Sequence, residues 1–384
     1  MRIAAFNVEN LFDRAKVFNG EDNVAHQDVL DAHAELNSLF ELEEYQDQHK
    51  ARMMDLLIEL GMQKRDEGPY TRIRKIRGQL ISRPRPPKVP FIKANGRNDW
   101  VGWCELRTEA VDELAMEHTA HMIKDVNADV LAVVEAESRP VLLKFHEMMI
   151  EKFNVPPAQG YKNIMIIDGN DRRGIDVGLA TKSGFPIGAM RSHVNDLKPD
   201  GFPIFSRDCP EYEVSAPSGE TIFVLPNHFK SKFGGNNPSS KAKRLAQSQA
   251  VADYYNRLKA EGFENIVVLG DLNDTPDSEE LAPLLTGTDI RDVVDHPNFT
   301  EFEFEPDSDN DDRGIGTHGL GNDDDRIDYL LLSPSLFEKV TLGGIYRKGI
   351  WPGSRPPRWE VYETLEHKDQ RASDHHLIWA DIDI

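Results

Sequence analysis

Residues 265–276 read NIVVLGDLNDTP. Four apolar side chains, Ile266 to Leu269, run directly into Asp271, Asn273 and Asp274. A β-branched run of this length, closed by turn formers, predicts a strand buried on both faces. Such a strand tolerates carboxylates only where they are paired, bound to a cation or placed at its open end.

The same pattern recurs along the chain. RIAAFNVEN (2–10) ends in Asn7 and Glu9, DVLAVVEAE (129–137) in Glu135, and IFVLPNH (222–228) in Asn227 and His228. Two late strands are reversed. RIDYLLL (326–332) carries Asp328 before its apolar part, and SDHHLIWA (373–380) carries Asp374 and His375 before its own. If the second set runs antiparallel to the first, every polar end gathers at one edge of the sheets. Strand alternation favours His375 over His376 for that edge. Glu9 reads as a turn residue with the option of joining it.

Between these strands, helical periodicity covers 26–62, 108–126, 141–153 and 239–263. Further strands are expected at 163–168 and 174–182, and a hairpin with a Ser-Gly turn at 211–229. His118 and His121 fall on the 108–126 helix and read as surface residues. The alternation defines an α/β chain. With 384 residues and 39% hydrophobic content it can bury a large core.

Charge divides the chain unevenly. It holds 45 basic and 66 acidic residues, a net −21. A uniformly acidic surface repels a nucleic-acid backbone, which argues against a DNA-coating protein but not against a local basic groove. Residues 64–97 hold eleven Lys/Arg against two Asp/Glu, so this island is +9 and the remainder −30. It reads as a strand or two followed by a proline-rich extended loop. Two roles stay open for it. One is a solvated extension. The other is a basic arm for polyphosphate or nucleic acid, with Tyr70, Phe91, Trp100 and Trp103 near enough in sequence to stack on bases. Residues 301–325 are acid-rich and read as a solvated loop, lacking the ligand spacing and terminal glutamate of a calcium loop. Cys104 and Cys209 form no zinc or disulfide pattern. The opening MRIAAFNVENLF lacks the features of a signal peptide, and no run reaches the roughly 18 apolar residues of a membrane span. The expectation is a cytoplasmic protein.

Glu135, Asp271, Asp328 and Asp374 at one edge place several carboxylates in a small space, which costs energy unless a cation neutralises them. Oxygen ligands without cysteine suit Mg2+ or Mn2+. With histidines alongside, the set points to metal-assisted phosphoester hydrolysis.

Seven motifs, FNVEN (6–10), VVEAES (133–138), RRGIDVGLA (172–180), NHFKSK (227–232), GDLNDTP (270–276), RIDYLL (326–331) and SDHH (373–376), stand in an order that resembles the endonuclease/exonuclease/phosphatase superfamily. Its members include pancreatic-type deoxyribonucleases, abasic-site endonucleases, inositol polyphosphate 5-phosphatases and neutral sphingomyelinases. The resemblance covers residues 1–13 and about 115–384. It implies a four-layered α/β sandwich of two packed mixed β-sheets flanked by helices. It also implies one domain over 1–384 with an atypical insertion at about 14–115, helical over 26–62 and basic over 64–97.

The roles it implies follow the motifs. Glu135 is the principal metal carboxylate, with Asn7 beside it and Asp374 sharing that metal or a second one. Asp271 orients or deprotonates the attacking water, and Asn273 holds the phosphate or that water. Asp328 orients His375, which stabilises charge on the phosphoryl oxygens. His228 serves the leaving oxygen, with Asp176 as its orienting partner. Arg173, Asn227, Lys230 and Lys232 are expected on the substrate. The cofactor implied is Mg2+ or Mn2+. Because SKFGGNNPSS (231–240) is similar to loops of the nuclease branch, the first reading is a nuclease acting on DNA or RNA. A phosphatase or phosphodiesterase for a small molecule or lipid headgroup, and an inactive binding module, stand beside it.

Overall fold

The computed structural model describes residues 1–11, 27–107, 113–171, 173–232, 237–300, 315–354 and 357–384. The chain divides into two compact units, Met1–Phe12 with Val111–Ile384, and Asp13–Ala110.

The larger unit is built from strands buried on both faces. In the strand Arg2–Leu11, Ile3 and Ala5 point into a core shared with Val224, Val267, Leu269 and Leu330 of the opposite sheet. Ala4, Phe6 and Val8 point the other way, onto Met122, Ile123, Leu142 and Phe145 of the helices Glu113–Val126 and Arg139–Glu151. The second sheet repeats this arrangement. Leu225, Val268 and Leu331 cover Val251, Tyr255 and Leu258 of the helix Pro238–Ala260. Helix, sheet, sheet and helix make the four layers expected.

Register is what assembles the polar ends. Thr221–His228 runs parallel to Ile266–Asp271, pairing His228 with Asp271. Asp328–Leu332 runs antiparallel on the other side, pairing Asp271 with Asp328. In the first sheet, Arg2–Leu11 runs parallel to Val130–Ala136 and antiparallel to Leu377–Ile382, so the ends bearing Asn7, Glu135 and His375 coincide. Gly270 makes the second sheet possible. Its φ is +116°, and a Cβ there would lie 2.2 Å from the Asn227 carbonyl oxygen.

Two of the longer strands of this unit were not legible in the sequence. Val340–Tyr346 carries two glycines, and Ile187–Arg191 is largely exposed, so neither shows a buried-strand pattern. His118 departs from expectation. It is fully buried, its ring bonded to the Gln370 carbonyl and Thr364 Oγ1. The acid-rich stretch lies outside the described residues over 301–314. Its later part folds inward, with Thr317 fully buried.

In the smaller unit the helical stretch forms two helices, Gln27–Phe40 and Asp47–Glu59. The basic island supplies the strand Thr71–Gly78, antiparallel to Trp100–Leu106. Its proline-rich half is not a free loop. Ile81–Ser82 pairs with Phe91–Ile92, and Leu80, Ile81, Ile92 and Ala94 enter the unit's core. Trp100 is part of that core, 4.7 Å edge-on from Phe40, so it is removed from the stacking candidates. Trp103 and Phe91 remain exposed at 43% and 51%. Among the described residues, no helix is long and apolar enough to cross a membrane.

Candidate active site

Asp271 sits at the centre of the gathered strand ends. One carboxylate oxygen accepts from the Asn273 amide at 2.8 Å, and the other from Asn7 Nδ2 at 3.3 Å. His228 Nε2 lies 3.5 Å from both Asp271 Oδ2 and Glu135 Oε1. Burial pushes Asp271 up to about 7, and the nearby Asp328 and Glu135 add to this against the charge of His375. Glu135 is likewise raised, first by burial.

His375 Nδ1 meets Asp328 Oδ2 at 2.8 Å. Thr317 Oγ1 accepts from the Asp328 amide at 2.8 Å and holds that strand end. Burial works against the His375 imidazolium, but Asp328 and Asp271 outweigh it and keep its pKa well above the ordinary value. His228 is driven the opposite way by burial, then by Arg207 and His375. The pKa values of two histidines at one site are thus pushed in opposite directions. His376 turns away, its Nε2 3.1 Å from the Gly319 carbonyl.

Asp374 lies in a second network. Its amide donates to Glu9 at 2.9 Å, and Arg371 bridges to the same Glu9 carboxylate at 2.9 and 3.1 Å. His318 Nε2 is 3.6 Å from Asp374 Oδ2, and its ring stands edge-on to His375. Burial would raise Asp374, but His318, His375 and Arg371 hold it well below the usual carboxylate range.

Two sets bring potential metal donors within 4.8 Å of one another, Asp271–Asp328–His375 and His318–Asp374–His375. His375 is already engaged by Asp328, so it is the carboxylates here, Glu135 with Asp374 and Asp271, that fit a divalent cation. Its charge would offset the burial that raises Glu135 and Asp271. Asn7 contributes a side-chain oxygen that also accepts the Glu9 amide at 3.2 Å.

Not every expected residue joins. Asn227 is fully buried, its amide turned to the Leu225 carbonyl at 3.0 Å, because alternation sends it to the face opposite His228. Lys232 is held by Asp274 at 2.5 Å, beside Arg244 at 2.8 Å. Asp176 accepts from the Gly169 amide at 2.8 Å, while His228 Nδ1 is buried without a hydrogen-bond partner, so the expected bond between the two is not formed. Lys230 and Arg173 do approach. Arg173 pairs with Asp171 at 2.9 Å, and the buried Arg207 reaches the same carboxylate at 3.2 Å. Beyond the effect of burial, Arg173 lowers the pKa of Arg207, and Arg207 lowers those of Lys230 and Lys243. Glu9 takes up the option of joining the edge, and Arg207, Lys243, His318 and Arg371 extend the site beyond the sequence reading. His318 alone left a local signal, a histidine among glycines just before the Asp328 strand.

Residues 93–342 match the profile of the Endonuclease/Exonuclease/phosphatase family. The chain belongs to that family, whose members are hydrolases of phosphoesters. Among solved structures it is similar to truncated Caenorhabditis elegans TDP2, at 19% identity and TM-score 0.47 over 69% of this chain and 88% of that one. A mannosyl-6-phosphatase of Bacteroides thetaiotaomicron is similar at 15% and 0.47, over 70% and 91%. The human Nocturnin catalytic domain with bound sulfate is similar at 13% and 0.46, over 72% and 88%. Among curated proteins no sequence matches this chain.

Proposed function

We propose that this chain is a divalent-metal-dependent phosphodiesterase that cleaves nucleic acid by water attack. The observation that carries the reading is the convergence of Glu135, Asp271, His228 and the Asp328–His375 pair beside the cations Arg173, Arg207 and Lys230. Carboxylates crowded against cations at one edge suit a reaction in which a phosphate arrives and a water is activated.

Asp271 takes the proton of the attacking water, its carboxylate held in place by the Asn273 amide and Asn7 Nδ2. Asn273 orients the water or a phosphoryl oxygen. His375, kept protonated by Asp328, donates to a phosphoryl oxygen as negative charge builds. His228 presents its Nε2–H to the departing oxygen. Glu135, Asn7 and Asp374 would hold the cation, which supplies positive charge to the phosphoryl group when bound. Arg173 and Lys230 meet the substrate phosphates. The segment at about 14–115 is the family-atypical insertion within one catalytic domain, and its basic ribbon adds substrate contact.

A second reading, a small phosphoester as substrate, is favoured by the net charge of −21 and by a bounded cleft beside Asp374. One experiment separates the two. End-labelled single- and double-stranded DNA and RNA are incubated with Mg2+ or Mn2+ against a chelator, with Asp271→Asn as the control. Metal-dependent cleavage that falls roughly 10²–10⁴-fold in the variant is expected. No cleavage of any polymer, with turnover of small phosphoesters intact, would overturn the nuclease reading.

A further inference from the structure

A cleft of about 450 Å³ opens directly beside Asp374, lined by His318, Leu320, Trp351, Lys368 and Arg371. That volume falls in the range of about 300–1,000 Å³ that small ligands occupy. We propose that this cleft is a nucleobase subsite, with Trp351 as the face on which the base stacks. The proposal rests on the phosphoesterase reading above and adds the chemical class of the group next to the scissile phosphate.

Polar and apolar side chains share the lining of the cleft. His318 lies 3.6 Å from the Asp374 carboxylate, and Arg371 is committed to Glu9 at 2.9 Å. Trp351 is half-buried and meets no aromatic, cationic or hydrogen-bonding partner among the described residues. Leu320, which lines the same cleft, is 39% exposed. Leu320, Ile350 and Trp351 give the cleft the π-face and apolar flank that a flat heteroaromatic ring needs, while its polar lining, His318, Ser354 and Lys368, suits ring nitrogens and a neighbouring phosphate. The platform is also held in place. Trp359 Nε1 donates to the Ile350 carbonyl at 2.9 Å, and the Ile350 amide donates to Arg347 at 2.8 Å. The backbone carrying Trp351 is therefore fixed before any ligand arrives, which lowers the entropic cost of stacking. Lys368 stands exposed at the rim with no ion-pair partner among the described residues, complementary to a neighbouring phosphate.

The test uses the full chain in Mg2+ buffer. Calorimetry measures binding of AMP, ribose 5-phosphate and inorganic phosphate to the wild type, Trp351→Ala and Trp351→Phe. Kinetics compares thymidine 5′-(p-nitrophenyl phosphate) with methyl p-nitrophenyl phosphate, which share a leaving group and differ in the nucleoside. The expected result is AMP binding roughly 5- to 100-fold tighter than ribose 5-phosphate. That margin should vanish in Trp351→Ala and largely survive in Trp351→Phe. The nucleoside preference in kcat/KM should fall in parallel, with the methyl ester unaffected. AMP no tighter than ribose 5-phosphate, or a margin that survives Trp351→Ala in a folded protein, overturns the subsite. A Trp351-dependent AMP margin without turnover of any ester would support the subsite and sink the phosphoesterase reading instead.

Discussion

Three residues at the site adopt a left-handed backbone conformation that side chains rarely accept. Glu9, Glu135 and Asn273 have φ values of 42°, 66° and 54°. Asparagine tolerates this region, but for the two glutamates it costs on the order of 1–3 kcal/mol each. The strain re-aims a strand's last side chains, so Glu135 reaches His228 and Glu9 reaches across to Arg371 and the Asp374 amide. Asp328 illustrates a simpler dependence. It touches His375 and no expected substrate atom, so its contribution is the charge and orientation of that ring. Asp328→Asn preserves shape and removes the charge. Its kcat should fall roughly 10²–10⁴-fold, with KM and the thermal midpoint little changed. Steady-state kinetics with a melting curve checks this. An unchanged kcat would show that His375 does not need its partner.

At the level of elements, a buried ionic network joins the segment after Ile187–Arg191 to the strand Glu211–Ser215 and the helix Pro238–Ala260. His193 contacts Asp196 at 2.8 Å and Glu211 at 2.6 Å, with Tyr254 stacked on its ring at 3.6 Å. Arg257 pairs with the same Glu211, Tyr254 donates to Asp196, and Asp208 accepts the His193 amide. Burial works against a charged His193, but Glu211 and Asp196 outweigh it and raise its pKa. Against their own burial, Asp196 is held below its usual value first by Tyr254 and Glu211 first by His193. The imidazolium therefore stabilises the fold fully below about pH 6.5, and that stability is lost as pH rises through the raised value. The carboxylates stabilise it above their ordinary range, and that part is lost as pH falls through their lowered values. The thermal midpoint should decline as pH rises from about 6.5, and His193→Gln should flatten the decline while costing about 3 kcal/mol near pH 6. Calorimetric melting across pH tests it. A variant with the wild-type slope would remove His193 as the cause.

Across the whole molecule, basic charge concentrates in one stretch, residues 64–97, which carry +9 against −30 for the remainder. The strand Thr71–Gly78 presents Arg74, Lys75 and Arg77 to solvent, with exposed Ile76 and Trp103 on the same ribbon. Arg74 is already paired with Glu105, so Lys75 and Arg77 are the better phosphate contacts. Deleting 64–97 would remove Leu80, Ile81, Ile92 and Ala94 from the unit's core, so substitution is the sounder test. Lys75→Ala with Arg77→Ala should weaken binding of a labelled oligonucleotide and reduce the slope of log K against log salt by about 1–2, at 0.7–0.9 per phosphate contact. Hydrolysis of a small phosphodiester should be unaffected. An unchanged slope would leave the ribbon a structural extension.

The sequence by itself determined the sandwich and the composition of its polar edge. Strands buried on both faces must be apolar throughout, so Asp271, Glu135 and Asp328 could stand only at their ends, and that constraint is local enough to read. Only the tertiary structure decided which neighbours face the edge and which are already occupied. His228 and Asn227 are adjacent in sequence, yet register and alternation put one in the site and the other in the core. Lys232, expected on the substrate, is held by Asp274, and Asp176, expected to orient His228, accepts from the Gly169 amide. Arg207 became a buried site cation, and Glu9 became a clamp on a segment some 362 residues away, through contacts that loop paths and sheet register create. Strand composition is a property of short segments, whereas these pairings exist only once distant segments are brought side by side.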